Sequence, residues 1–347
     1  MRLVFVFSVV LLAFFSTRTE AAACTGCTNP RLQNNLGLDA RNPQAGALSL
    51  RLSLGGTQTH ASHAVDEEQY EPNHDPNQPG PHAHVQAATH DLDFILANFS
   101  LGLDYAFSTK GALSLQVPLR RVDVVARFLD EAGGEMTGFE SIHHRTETLQ
   151  GLGDPELGYT HLLLQPTARL PLTLLLTGGL SLPLGGVVEN PFELGREGKD
   201  HQHIFFGTGT VDPLLGVALA FNRVTWGAAG YARLRHALYS NHHDYNAGTE
   251  LTAGLSAGSG FGLEGLNLRA STEVFWQRPA RWGDEVAKNS GRIDFIPGLS
   301  LSYALKERFT VMAMLRRPIT LAVEGGQLDL GFHGALGLRW LMLKPAS

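Results

Sequence analysis

The sequence predicts an all-β fold: a transmembrane, antiparallel, up-and-down β-barrel of about 12 strands with long extracellular loops. Three observations predict it. Apolar and polar residues alternate with period two over long runs. The connections between the runs alternate between short and long. The composition is light in charge, 17% against the ~25% usual for soluble domains, yet 43% hydrophobic, with 39 glycines in 347 residues. Such a chain suits strands that face lipid on one side and water on the other.

The first element is an address. Met1 to Ala23 reads as a secretory signal peptide: Arg2 supplies the positive start, Leu3 to Phe15 the apolar stretch, and Ala21, Ala22 and Ala23 a cleavage site. That stretch is shorter than the ~20 residues of a spanning helix. No later apolar stretch approaches that length, so a helical membrane protein is excluded. Residues 24–44 then form a periplasmic N-terminal segment, and 45–343 the outer-membrane barrel. Cys24-Thr-Gly-Cys27 opens the mature chain. It reads as a local disulfide, as a soft metal site, or, with Cys24 after three alanines, as a lipidation site.

The strands follow in order. Residues 265–277 put Leu266, Leu268, Ala270, Thr272, Val274 and Trp276 on one face and Asn267, Arg269, Ser271, Glu273 and Gln277 on the other, with Phe275 the exception. Residues 292–305 and 327–342 repeat the pattern. Period two means β-strand, and these runs reach the ~9–11 residues that cross a bilayer. The predicted strands are 45–55, 90–107, 111–127, 153–164, 169–184, 203–221, 223–238, 246–259, 265–278, 291–305, 308–318 and 327–343. Short turns near 108–110, 165–168, 222, 260–264 and 306–307 alternate with long polar connections at 56–89, 128–152, 185–202, 239–245 and 279–290, with 319–326 intermediate. Short periplasmic turns and longer extracellular loops have this rhythm. Trp226, Tyr303, Phe309 and Trp340, near strand ends, suit an interfacial aromatic girdle.

Two segments open strands with turn chemistry. In Gly151-Leu-Gly-Asp-Pro-Glu-Leu-Gly158, Asp154 and Pro155 fix a turn. In His203-Ile-Phe-Phe-Gly-Thr-Gly-Thr-Val-Asp-Pro213, Asp212-Pro213 reads as a bulge inside a strand. Together they resemble the outer-membrane transporter barrels of the MetA-pathway phenol-degradation type, which carry a GxGD strand start and a GTGxxDP strand at similar separation. The resemblance implies an outer-membrane channel and leaves the solute open.

Histidine carries the chemical signal. There are 15, most of them in or beside the predicted extracellular loops. His60, His63, His74, His82, His84 and His90 belong to the first loop, His143 and His144 to the second, His201 and His203 to the third, and His242, His243 and Asp244 to the fourth. Spacings such as His82-Ala-His84 and His201-Gln-His203 share a face of an extended chain. Neutral imidazoles in that pattern point to transition metals, with copper, zinc or nickel the expected ions. The plain alternative is solvated polar loops, and a pH-sensing gate is a third use. No cofactor is required by this reading.

On the inward phase lie Arg233, Arg235, Glu250, Arg269, Glu273, Arg292, Asp294, Asp329, His333 and Arg339. Mixed signs predict no strong single-ion filter and a narrow or loop-plugged pore. The sequence has no GxSxG, HExxH or P-loop motif, so it is not read as an enzyme. A net charge of −6 argues against a nucleic-acid partner. The expected partners are outer-membrane lipid, a small-molecule or metal-ion solute, and the barrel-assembly machinery during biogenesis. The function expected is a channel for small solutes, with transition-metal ions captured by the His-rich loops. The alternatives are a channel for apolar or aromatic compounds, or a non-transporting surface barrel that binds metal.

Overall fold

A computed structural model describes residues 43–64, 89–137, 144–287, 290–323 and 328–343. The signal peptide, Cys24, Cys27, His74, His82, His84 and His143 lie outside the described residues. The described chain forms a closed, twelve-stranded antiparallel barrel. Its strands are β1 (Leu48–Ala64), β2 (Thr89–Ala106), β3 (Gly111–Leu129), β4 in two pieces (Glu147–Leu152 and Glu156–Leu164), β5 (Leu172–Ser181), β6 (Asp212–Asn222), β7 (Trp226–Arg235), β8 (Glu250–Ser259), β9 (Leu266–Gln277), β10 (Arg292–Leu305), β11 in two pieces (Phe309–Arg316 and Ile319–Val323) and β12 (His333–Leu343). Each pairs with its neighbour in sequence, and β1 pairs with β12 to close the ring. No described helix is long and apolar enough to cross a membrane.

The alternation read from the sequence sets the two faces. On β9 the apolar set Leu268, Val274 and Trp276 faces out and is exposed. Phe275, the exception in that pattern, faces in, opposite Thr252 and Asp294. Leu101, Leu103, Leu113, Leu115, Leu219, Leu299, Leu301 and Leu315 continue the outer belt. So much exposed apolar surface is unfavourable in water and favourable against lipid. At the short-turn end Phe107 stacks on Tyr159, and Phe309 on Trp340, at centroid distances of 6.1 and 5.9 Å. Those rings sit where interfacial aromatics belong.

Several predicted boundaries move, each for a physical reason. β1 runs to Ala64 and β2 begins at Thr89, so this hairpin rises well beyond 45–55. At 17, 18 and 19 residues, β1, β2 and β3 are longer than a bilayer needs. Their surplus reverses polarity: Asp91 and Asp93 face out, while Leu92, Phe94 and Leu96 are buried inside. A strand projecting past the lipid meets water outside, so its apolar face turns to the lumen. Glu147–Leu152, placed in a loop by the sequence reading, extends β4. Ile319–Val323 continues β11 beyond an interruption at Arg317-Pro318, where proline has no N–H to give the ladder.

The strand predicted over 203–221 begins only at Asp212. The expected bulge at Asp212-Pro213 is absent: Ser181↔Asp212 and Leu180↔Pro213 are in regular register. Pro213 sits at the start of the strand, where a missing donor is tolerated. Residues 203–211 are instead an irregular segment inside the barrel. The run 327–332 is likewise not strand; β12 begins at His333. Pairing of β12 with β1 ends at Thr57↔His333, and with β11 at Arg316↔His333. Above that level, among the described residues, the wall between β1 and β11 is bridged by an irregular segment, 328–332.

Candidate functional site

The lumen has an apolar upper chamber and a charged band beneath it. The chamber wall comes from β2 and β3: Leu92, Phe94, Leu96, Val122 and Val124 point in and are buried. Two irregular segments fill it. Ile204 and Phe206 enter from the loop between β5 and β6, and Leu328 and Leu330 from the segment before β12. Burying these side chains against one another stabilises each by ~1.5–3 kcal/mol relative to exposure.

The first segment is locked from below. Asp154 lies at the break in β4, where Gly153-Asp154-Pro155 leaves the ladder. Its carboxylate accepts from Gly185 N at 3.0 Å, from Thr208 N at 2.8 Å and from Thr208 Oγ1 at 3.0 Å. Gly185 is near the start of the β5–β6 loop and Thr208 near its end, so one side chain closes the loop's neck. The neck is tight enough to demand glycine: a Cβ on Gly207 would meet Asp154 Oδ1 and the Gly185 backbone at 2.6 Å. Arg235 of β7 completes the lock, with Nη2 at 3.1 Å from Asp154 and 2.6 Å from Asp212. Asp212, Thr208 and Thr210 have no exposed surface. A buried guanidinium facing two carboxylates is stable only when all partners stay in place. The two segments that carried the family resemblance thus meet: one supplies Asp154, the other Thr208 and Asp212.

Around the lock, most of the expected lumen residues have polar partners inside the barrel. Arg233 reaches Glu156 at 2.6 Å. Glu250 accepts from Gln277 at 3.2 Å. Arg292 holds Asp294 with two hydrogen bonds, at 2.7 and 2.8 Å. Glu273 meets Arg316 at 3.4 Å and the Tyr231 hydroxyl. Arg269 donates to Ser256. Arg339 lies opposite Arg51, which pairs with Asp104. His333 is buried at the top of β12. Asp329 departs from expectation: its side chain is exposed and lies 3.9 Å from Arg317, because the residues before His333 are not strand and the inward phase does not extend to it.

The histidines divide into two groups, and only one is solvated. His60 is exposed on the outer face of β1, between Asp91 and Asp93. His63 lies near the end of β1. His242 and His243 sit in an outer turn with rings 3.9 Å apart, followed by exposed Asp244 at φ 59°. In contrast, His90, His144, His201 and His203 are buried under the extracellular rim. His90 meets His144 edge to face at 5.3 Å, and His201 meets His203 at 5.0 Å. Burial lowers the pKa of His201, with Arg145 and His144 acting in the same direction. Among the described residues, no three metal-ligating side chains converge. Of the expected metal residues that are described, His60 lies on the outer face of β1, His242 and His243 in an outer turn, and His90, His144, His201 and His203 are buried in edge-to-face pairs.

Above the chamber an aromatic cap joins three loops. Phe205, Tyr245 and Trp282 pack at centroid distances of 4.7 to 6.2 Å. Phe192, from the short helix α1 (Pro191–Arg196), packs on the same cluster. Successive residues of 203–206 thus alternate between cap and chamber. The sequence signal for the chamber was present in His90-Asp-Leu-Asp-Phe-Ile-Leu96, where the charged residues occupy the phase that is lipid-facing further down.

The fold and lumen define a class: a transmembrane β-barrel with two of its own irregular segments packed inside its upper end. No family model matches the chain, and no curated protein matches it. Solved structures do. The COG4313 outer membrane channel from Pseudomonas putida F1 is similar at 14% identity and TM-score 0.59, over 88% of this chain and 99% of that one. The CymD monoaromatic hydrocarbon channel aligns at 10% identity and TM-score 0.42, over 90% and 93%. The P. putida toluene transporter TodX aligns at 10% and 0.39, over 85% and 90%. The first likeness is one of fold; the other two are too loose to carry an argument.

Proposed function

We propose that the protein is an outer-membrane channel for small apolar or aromatic solutes. One observation carries the reading: the inward face of β2 and β3 at the extracellular end is apolar, from Leu92 to Val124. A path for sugars or ions needs polar lining there. An apolar solute reaching this wall replaces the contacts of Ile204, Phe206, Leu328 and Leu330 at little net change in buried apolar area. The charged band below is internally paired, so it offers no strong field to a single ion. The metal-ion reading has no cluster of three ligating side chains among the described residues to support it. The barrel shares its fold with a channel of known structure, in keeping with transport.

The test is a pair of measurements on the refolded barrel in lipid vesicles. The expected results are saturable binding of the fluorescent apolar probe N-phenyl-1-naphthylamine, weakened at least tenfold in Phe94→Asp, and little swelling with glucose outside. Rapid glucose entry without probe binding would overturn the reading in favour of a hydrophilic pore.

A further inference from the structure

Below the charged band, the short-turn end of the lumen carries a charge that the channel reading does not use. Within six residues of that end of each strand, the inward charges among the described residues are Arg51 of β1, Asp104 of β2, Arg269 of β9 and Arg339 of β12. Three are half-buried guanidiniums and one is a carboxylate. Arg51 and Arg339 are direct partners across the β1–β12 seam. Like charges placed opposite one another in a sheet are unfavourable. Asp104 accepts from Arg51 Nε at 2.6 Å and from its Nη2 at 2.9 Å. Arg269 donates to the neutral Ser256 hydroxyl at 2.9 Å. The turns at this end continue the sign: Lys110, Arg169, Arg223, Lys306 and Arg308 stand against Glu264 and Glu307, in a chain whose net charge is −6. Cations on turns suit phospholipid headgroups. The three inward guanidiniums do not, since the pleat holds them on the lumen side.

The facing wall is apolar. Leu162 of β4, Leu175 of β5 and Ala218 of β6 are buried within the same six residues of the short-turn end, and the half-buried Tyr231 of β7 packs on them. In a ring of twelve strands, β6 and β7 lie half-way round from β12 and β1. The Tyr231 hydroxyl donates to Glu273 of β9, which orients the ring.

We propose that this end of the lumen is a subsite for an apolar solute that bears one anionic group, of the carboxylate class. Arg51, Arg269 and Arg339 hold the anion, and the Tyr231 ring takes the apolar body. The proposal rests on the channel reading and names its substrate class. A neutral hydrocarbon leaves the guanidiniums facing one another. A carboxylate accepts charge-assisted hydrogen bonds from them and offsets their repulsion. An inorganic anion leaves the aromatic face unused. One molecule with both parts meets both walls. Cations gathered at one end of the lumen also draw an anion towards it.

The experiment uses the full barrel refolded in phosphatidylcholine vesicles at about pH 7.5, where carboxylates are ionised, with the signal of protein-free vesicles subtracted. The fluorescent anion 1-anilinonaphthalene-8-sulfonate is bound first. It is then displaced with 1-naphthoate or with neutral 1-naphthalenemethanol, which share one aromatic body. The carboxylate is expected to displace the probe at a concentration at least tenfold lower than the alcohol. The double variant Arg269→Gln, Arg339→Gln is expected to bring that preference below threefold, whereas Arg339→Lys, which keeps the charge, retains it. Raising potassium chloride from about 50 to about 500 mM should also reduce the preference, since salt screens half-exposed charges. That arm needs no variant and serves if the double variant does not fold. Equal displacement by the two compounds in the native barrel would overturn the proposal, as would absence of sulfonate binding. So would a folded double variant that keeps the full preference. None of these results touches the channel reading, which stands or falls on N-phenyl-1-naphthylamine and glucose.

Discussion

Two segments fill the same chamber and are held there in different ways. Residues 203–211 are fixed by buried charge: Asp154, Asp212 and Arg235 clamp Thr208 and the neck glycines. Residues 328–332 are fixed by donors from the wall onto their backbone. Thr59 Oγ1 donates to the Asp329 carbonyl, Arg292 to that of Leu328, and Arg317 to that of Leu330. Gly331 lies against the Gln58 carbonyl, with no room for a Cβ. Charged partners removed from water are strongly interdependent, whereas separate hydrogen bonds onto carbonyls contribute about 1 kcal/mol from a neutral donor and about 1.5–3 kcal/mol from a guanidinium. The difference teaches that one segment is anchored at its base by interdependent buried charge, while the other is held by separate ties along its backbone.

That contrast can be broken at its strongest point first. Arg235→Ala should leave Asp154 and Asp212 buried without their cation and destabilise the barrel by about 3–5 kcal/mol. Urea unfolding in lipid, followed by tryptophan fluorescence, reads the loss; a change below about 1 kcal/mol would show that water reaches the lock. Leu330→Ala removes a buried side chain from the second plug, for about 2–5 kcal/mol in the same assay. It should also raise apolar-probe binding, since it leaves space on the chamber wall. Gly207→Ala is smaller. The added methyl meets Asp154 and the Gly185 backbone, so about 1–3 kcal/mol is expected, with faster hydrogen exchange at Thr208 than at Leu214. Thr59→Val removes one donor from the second plug and should cost about 1 kcal/mol. An effect as large as that of Arg235→Ala would erase the distinction between the two plugs.

Most of the barrel was legible because a strand's two faces are written in adjacent residues. Leu268, Val274 and Trp276 declare the lipid face, and Arg269 and Glu273 the lumen, within one short run. The upper chamber was less legible. Leu92, Phe94 and Leu96 occupy the lumen phase with apolar residues, and only the level of the strand above the bilayer explains it. The histidines were only partly legible for a related reason: His201 and His203 read as loop residues, yet both side chains are buried. Asp154 and Asp212 looked like turn residues. Both do terminate regular strand, but their partners lie 54 and 23 residues away.

The sequence by itself determined the twelve-fold alternation, the lipid-facing belt and the rhythm of turns and loops. Each depends on neighbours along the chain, which the pleat and the hairpin read directly. Only the tertiary structure decided that the Gly-Asp-Pro and Gly-Thr-Gly-Thr segments form one lock, and that four imidazoles gather at the rim. It also decided that two irregular segments pack into the upper lumen. Those depend on how far strands project beyond lipid and where long connections fold back, and such contacts between distant residues are set when the ring closes.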